Sequence, residues 1–228
     1  MDNIQLIQTG DGSSSLLNVT LNETYHSTHG AIQESAHVFI KNGLEFFIKK
    51  NNPTTVSVFE VGFGTGLNAL LAFLLSEKNN IQIEYTSIEA FPIDWEVASH
   101  LNYPVRLGGN ESQAHFQQFH LEDWNNKIEI TACFSLQKVK TAIQDFDFPA
   151  DQFDVVFFDA FAPAKQPEMW TLTVLEKIVS AMKSKGVFVT YCAKGQLKRD
   201  LRSLGMLVET LPGPPGKREM VRAIKPSH

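Results

Sequence analysis

Three glycines spaced by single residues, Gly62-Phe63-Gly64-Thr65-Gly66, stand between a strand-like run and a helical one. No other feature constrains the fold as much. Before the glycines, Thr55-Val56-Ser57-Val58-Phe59-Glu60-Val61 is rich in β-branched residues; after them, Leu67 to Leu75 has few polar positions. A strand that passes through glycine into a helix opens a βα unit, and glycine lets a ligand approach the backbone closely. A dinucleotide-binding turn would need Gly-x-Gly-x-x-Gly; counted from Gly62, the last glycine falls where Leu67 stands. Glu60, two residues before the first glycine, is a poor neighbour for pyrophosphate and a good one for an ammonium or sulfonium ligand.

The rest of the chain alternates in the same manner. Ile81 to Ala90 reads as a second strand and ends in Glu89-Ala90-Phe91-Pro92. Asp94 to Leu101 and Ser112 to Phe119 read as helices, and Ile128 to Val139 as a broken strand. Phe153 to Phe158 and Gly186 to Tyr191 are apolar strands. Between them Pro167 suits the first turn of a helix whose apolar face would carry Leu172, Leu175, Ile178, Val179 and Met182. A helix over Lys194 to Leu204 and two strands, Met206 to Leu211 and Glu219 to Ile224, complete the chain. This order predicts an α/β fold, a mostly parallel doubly wound sheet with a C-terminal antiparallel hairpin. Residues 1–50 read as an N-terminal appendage: a hairpin of Ile4 to Thr9 and Ser14 to Thr20 around Gly10-Asp11-Gly12, then a helix over Ala31 to Lys50 broken at Asn42-Gly43. Residues 51–228 form the main domain, and the two parts make one structural unit.

Asp159 follows the apolar run Phe153–Phe158 directly, at the carboxyl end of a strand, where open α/β sheets gather their ligands. The following Ala-Phe-Ala-Pro-Ala-Lys-Gln-Pro-Glu-Met-Trp is polar, aromatic and punctuated by proline, as a lid over a site would be. Asp159 is therefore the first candidate for chemistry. The two cysteines, Cys133 and Cys192, form no Cys-x-x-Cys pair, and the seven histidines show no ligand spacing, so no metal is expected. The histidines read as ordinary polar residues. Met1-Asp2-Asn3 lacks a signal-peptide layout, and the apolar run Ala69 to Leu75 is too short to span a bilayer, which predicts a cytoplasmic protein without a membrane partner. The net charge of −5 is unevenly spread: eight basic side chains lie between Lys194 and Lys225 against three acidic ones. A basic end on an acidic body suits a phosphate-facing surface or, equally, a solvated helix face.

Glu60-Val-Gly-Phe-Gly-Thr-Gly resembles the glycine motif of S-adenosylmethionine-dependent methyltransferases. Together with Asn68, the Asp159–Trp170 segment, Gly216-Lys217-Arg218-Glu219-Met220 and Glu34-Ser35-Ala36-His37-Val38-Phe39, it makes nearly the whole chain resemble the tRNA 5-aminomethyl-2-thiouridine methyltransferases, the methyltransferase half of a bifunctional wobble-uridine enzyme. The resemblance implies a Rossmann-like methyltransferase fold and S-adenosylmethionine as cofactor. Glu60, Gly62, Phe63, Gly64, Thr65, Gly66 and Asn68 would lie around it, Glu89 would take its ribose hydroxyls, and Glu34 and Ser35 would close over its methionine end. The partner implied is the anticodon stem-loop of tRNA, with Phe161 and Trp170 as stacking faces and Lys165, Lys217 and Arg218 meeting phosphates. Asp159 would hold the substrate amine; near two cations its pKa is expected to be lowered, favouring orientation over strong base catalysis. The flavin oxidase half of the bifunctional relatives is not expected here, hence no FAD. Near Phe134 to Thr141 such enzymes often carry Gly-Asp at the adenine; here Lys140-Thr141 stands there, and the adenine contact stays open. Two other classes compete. A polyamine or other small-amine methyl- or aminopropyltransferase would turn over free amines without RNA. A non-catalytic cofactor- or RNA-binding protein would keep its binding after Asp159→Ala.

Overall fold

Every residue of Phe153–Phe158 is buried, as a nearly unbroken apolar run requires of a strand covered on both faces. The one polar member, Asp154, accepts from the Ser57 amide and pairs with Lys183 at 2.8 Å. Around this strand the computed structural model describes residues 3–227, leaving aside the side chains of residues 110 and 111. Met1 and Asp2, part of the stretch read for a leader, and His228 lie outside the described residues.

A small antiparallel sheet comes first, made of β1 (Ile4–Gln8), β2 (Ser14–Asn18) and β3 (Glu23–Thr24). The main sheet then takes β4 (Thr55–Val61), β5 (Gln82–Glu89), β6 (Lys127–Thr131), β7 (Phe134–Lys140), β8 (Phe153–Phe158), β9 (Met182–Thr190), β10 (Leu207–Pro212) and β11 (Glu219–Ile224). Their spatial order is β10-β11-β9-β8-β4-β5-β7-β6. The five central strands, β9 to β7 in that order, are mutually parallel; β11, β10 and β6 are antiparallel additions at the two edges. The structure thus has the mixed α/β architecture of Rossmann-like methyltransferases.

Alternation along the strands sorts the core into two layers. Val58, Val155 and Val189 face a cluster with Phe39, Leu70, Phe73 and Phe116. Phe59, Val156 and Phe188 face Leu175, Ile178 and Leu201 on the other side. The chain leaves β4 toward β5 on one side and reaches β8 on the other, so the carboxyl ends of β4 and β8 flank the topological switch point.

Four local readings change. The segment 31–51 runs through Asn42-Gly43 unbroken, with Ala36–Leu44 wound as π-helix. Gly43 is needed for close packing rather than for a break, since a Cβ there would meet Val189 Cγ2 at 2.7 Å. Ile128 to Val139 is an antiparallel pair, β6 and β7, with an irregular register between Glu129 and Thr131. Helix Leu172–Ala181 stops before Met182, which opens β9, and Leu172 is half exposed instead of lying on the apolar face. Only Trp95–Ala98 is α-helical within 94–101.

Candidate active site

The turn after β4 needs its glycines. Gly62, Gly64 and Gly66 have φ of +90°, +49° and +72°, a region that costs a side-chain-bearing residue energy. At Gly62 a Cβ would also lie 2.9 Å from the backbone oxygen of Asp159, so the glycine lets the end of β4 touch the end of β8. Behind the turn, His120 Nε2 lies 3.3 Å from the Thr65 oxygen; burial and Lys138 hold its pKa down to about 4.

Two neighbouring acids meet over helix Leu67–Asn79. Asn68 Nδ2 donates to Glu60 Oε1 (3.0 Å) and to Asp159 Oδ2 (2.8 Å), and Ser87 Oγ donates to Glu60 Oε2 (2.7 Å). Burial raises the pKa of Asp159 to about 7, helped by the charge of Glu34 and opposed by Asn68 and Lys217. The lowered value expected from the sequence presupposed bound cations; with the protein's own groups alone, desolvation dominates. Glu60 is fully buried, and desolvation lifts its pKa to about 8.

That value carries a stability consequence. A carboxyl whose folded pKa exceeds its unfolded one binds more protons when folded, so wild-type stability falls as pH rises from about 4.5 to 8. Glu60→Gln removes the ionisation. The variant should melt close to wild type at pH 5 and higher than wild type at pH 9, by about 4 °C or more. Thermal melts at the two pH values check this; a difference that shrinks with rising pH contradicts it.

A cavity of about 920 Å³ opens at these strand ends. Glu34, Gly62, Phe63, Gly64, Thr65, Asn68, Glu89, Asp159, Phe161, Lys165 and Lys217 all line it. Glu60, Gly66, Ser35, Trp170 and Arg218 do not. Glu60 is fully buried and meets Asn68, which does line the cavity, through the 3.0 Å bond from that amide. Ser35 is fully buried. Trp170 stands behind the wall, edge-on to Phe158 at 4.7 Å with its indole N–H donating to the Phe161 carbonyl, rather than offering a stacking face. Lys165 Nζ donates to the Leu21 carbonyl (2.8 Å), tying the segment after β8 to the small sheet. Lys217 Nζ is 2.5 Å from Glu34 Oε1 and 3.6 Å from the centre of the Tyr191 ring, so it faces a carboxylate and not a phosphate. Arg218 is exposed and lines an adjoining groove.

Glu89 accepts from the Gly64 and Phe91 amides (3.1 and 2.9 Å), one on each oxygen. Each oxygen keeps a further lone pair for a hydroxyl. Several cavity residues escaped the sequence reading. His26, read as an ordinary polar residue, is buried beside Thr65, with Nε2 2.6 Å from its hydroxyl, and burial pushes its pKa down to about 4. Tyr25 lies edge-on to Phe161 at 5.1 Å. Phe91 is 80% exposed and lines the cavity; an aromatic two residues after the strand-ending Glu89 was its only signal. Thr141 to Gln144 form the wall beside Glu89.

The residues fit a sulfonium-bearing nucleoside cofactor on one observation in particular. Asn68 Oδ1 is buried without a hydrogen-bond partner although Asn68 lines the cavity, an acceptor left over for a cationic donor. Among the described residues, no group of three or more His, Cys, Asp or Glu is arranged to hold a metal ion, and no helix is long and apolar enough to cross a membrane.

Comparisons with known proteins agree with this geometry. Residues 109–226 match a family described as S-adenosyl-L-methionine-dependent methyltransferase. The bifunctional protein MnmC of Marinomonas sp., named for tRNA 5-methylaminomethyl-2-thiouridine biosynthesis, is 30% identical over 87% of the chain, and that of Nitrosospira multiformis is 27% identical over 92%. The chain spans about a third of the length of these relatives, 30% and 35% respectively. The crystal structure of MnmC2 from Aquifex aeolicus superposes with a TM-score of 0.77 at 27% identity, covering 99% of this chain and 72% of that one. Spermidine synthase from Thermotoga maritima, at 15% identity and a TM-score of 0.50, shares the fold. With its glycine turn, its acid at the end of β8 and these relatives, the chain belongs to the S-adenosyl-L-methionine-dependent methyltransferases and, among them, to the family of the MnmC methyltransferase domain.

Proposed function

We propose that this protein methylates the primary amine of 5-aminomethyl-(2-thio)uridine at the wobble position of tRNA, in the cytoplasm, with the anticodon stem-loop as its partner. The observation that carries the reading is Asp159: a partly buried carboxyl with a pKa raised to about 7, next to the glycine turn, in a cavity it shares with Glu34. Glu23, Glu89 and Glu168 line it as well, against Lys165 and Lys217, and this acidic lining favours a cationic alkylamine. The likeness to the bifunctional MnmC proteins, named for tRNA 5-methylaminomethyl-2-thiouridine biosynthesis, supports the choice of an RNA-borne amine.

S-adenosylmethionine, when bound, supplies an electrophilic methyl group on a sulfonium. The Gly62–Gly66 turn would hold it, with Glu89 accepting from its ribose hydroxyls and Asn68 Oδ1 from its amino-acid end. Asp159 accepts a hydrogen bond from the substrate ammonium and takes one of its protons, which frees the lone pair for attack. An ordinary alkylammonium has a pKa of about 10.4, so passing its proton to a group near 7 costs about 5 kcal/mol, against about 9 for an ordinary aspartate. That difference belongs to the site without its cations; the sulfonium and the ammonium pull the carboxyl back down and reduce it. Asn68 fixes the carboxyl while this happens, and positioning supplies much of the remaining rate.

The test is incubation with labelled S-adenosylmethionine and tRNA from cells lacking the activity, followed by nucleoside analysis. Label is expected on a wobble methylaminomethyl nucleoside. Label on free spermidine but not on RNA overturns the reading.

A further inference from the structure

Lys217 and Glu34 are separated by 183 positions in the chain and meet in the cavity wall. Glu34 is 5% exposed, and its second oxygen accepts from the Ser27 amide at 2.7 Å. Lys217 Nζ therefore sits between a buried carboxylate and the face of Tyr191, whose hydroxyl is anchored to the Ala160 carbonyl, next to Asp159. A carboxylate plus an aromatic face is a seat for a primary alkylammonium. The amine of the proposed substrate is the same chemical group.

Lys217 also lines the adjoining groove with Lys194, Arg218 and Glu219, whose carboxylate is already paired with Lys198 at 3.0 Å, and Tyr191 lines both spaces. Lys217 stands on the 213–218 loop, beside Gly216 at φ +84°, with its ammonium at the end of a flexible four-carbon stem.

We infer that Lys217 occupies the seat of the substrate's amine, and that a phosphate in the groove draws it away so that Glu34 and Tyr191 receive the amine of a nucleotide rather than that of a free small molecule. The inference rests on the reading of the substrate given above. Its logic is charge balance. A free amine that displaces Lys217 leaves its ammonium without a carboxylate of its own, beside Lys194 and Arg218 and with Glu219 already paired to Lys198. A nucleotide brings the anion that Lys217 then joins, so one ion pair is exchanged for another. For a free nucleoside, the fraction of protein with an empty seat reduces the apparent affinity; the phosphate removes that penalty. Glu34 thus becomes a substrate-positioning residue, in place of the cofactor role implied by resemblance, and Lys217 a specificity residue.

The experiment compares kcat/KM for an anticodon stem-loop carrying 5-aminomethyluridine with that for the free nucleoside, in wild type and in Lys217→Met. The variant should gain about tenfold on the nucleoside and lose about tenfold on the stem-loop, shifting the ratio about a hundredfold. Loss on both substrates by the same factor, or no gain on the nucleoside, overturns the inference. If Lys217→Met proves unfolded by circular dichroism, wild type decides alone: 5-aminomethyluridine 3′,5′-bisphosphate must outperform the nucleoside by about tenfold, and equal or undetectable turnover of both overturns it. Failure of wild type to methylate the stem-loop at all would instead remove the substrate reading itself.

Discussion

Asp159→Asn is expected to lower kcat/KM on aminomethylated RNA by about 10²- to 10⁴-fold, the range for loss of a positioned proton acceptor. Asparagine is nearly isosteric, and its carbonyl can still accept from Asn68, which sits 2.8 Å from Asp159 Oδ2. The fold and the glycine turn should therefore survive. What disappears is a group able to hold a proton near neutrality. In wild type the carboxyl must be ionised to act, so activity should rise with pH through about 7, the value burial imposes. The asparagine variant should lack that rise. A pH–rate profile of both proteins, with cofactor affinity measured by calorimetry, checks the point. A tenfold or smaller loss with the acid limb intact would move the proton-accepting role elsewhere.

Gly62→Ala should act on affinity and stability together. The added methyl meets two obstacles at once: a φ of +90°, and a backbone oxygen of Asp159 only 2.9 Å away. Neither can relax without shifting the end of β8, because that oxygen belongs to the main chain. A loss of about 2–4 kcal/mol is expected from strain and overpacking, or a melting temperature lower by about 5–10 °C. Affinity for S-adenosylmethionine or its demethylated product should fall by at least about tenfold, since the same movement displaces the turn from Glu89. Differential scanning calorimetry and titration calorimetry measure both. An unchanged melting temperature with wild-type affinity would mean that the contact between the ends of β4 and β8 has no such role.

What could be read in the linear chain depended on how local the signal was. Phe153–Phe158 was legible to the residue because a strand covered on both faces must be apolar on both sides. The turn at Gly62–Gly66 was legible because three positive φ angles leave glycine as the residue of choice. The break within Ile128 to Val139 was legible too, but not that its halves fold back on each other, since the two-residue turn at Ala132-Cys133 carries neither glycine nor proline. The π-winding of Ala36–Leu44 was hidden as well: Gly43 looks like a helix breaker until Val189 is placed against it.

Depth was the harder quantity. Glu60 and Asp159 are both carboxylates near a strand end, yet one lies fully buried against Asn68 and the other opens onto the cavity. Only the strand order, which puts β4 beside β8, separates their roles. His26 joined the cavity because the N-terminal segment folds back over Thr65, and the Lys217–Glu34 pair because the C-terminal loop meets the first helix. Neither contact has a signature at short range.

The most direct measurement is a crystal structure with the demethylated cofactor and 5-aminomethyluridine bound together. A carboxyl oxygen of Asp159 should lie about 2.6–3.2 Å from the substrate nitrogen, with Asn68 still bridging to Glu60. A nitrogen bound well beyond hydrogen-bond reach of Asp159, with the glycine turn and cavity intact, would contradict the proposed chemistry.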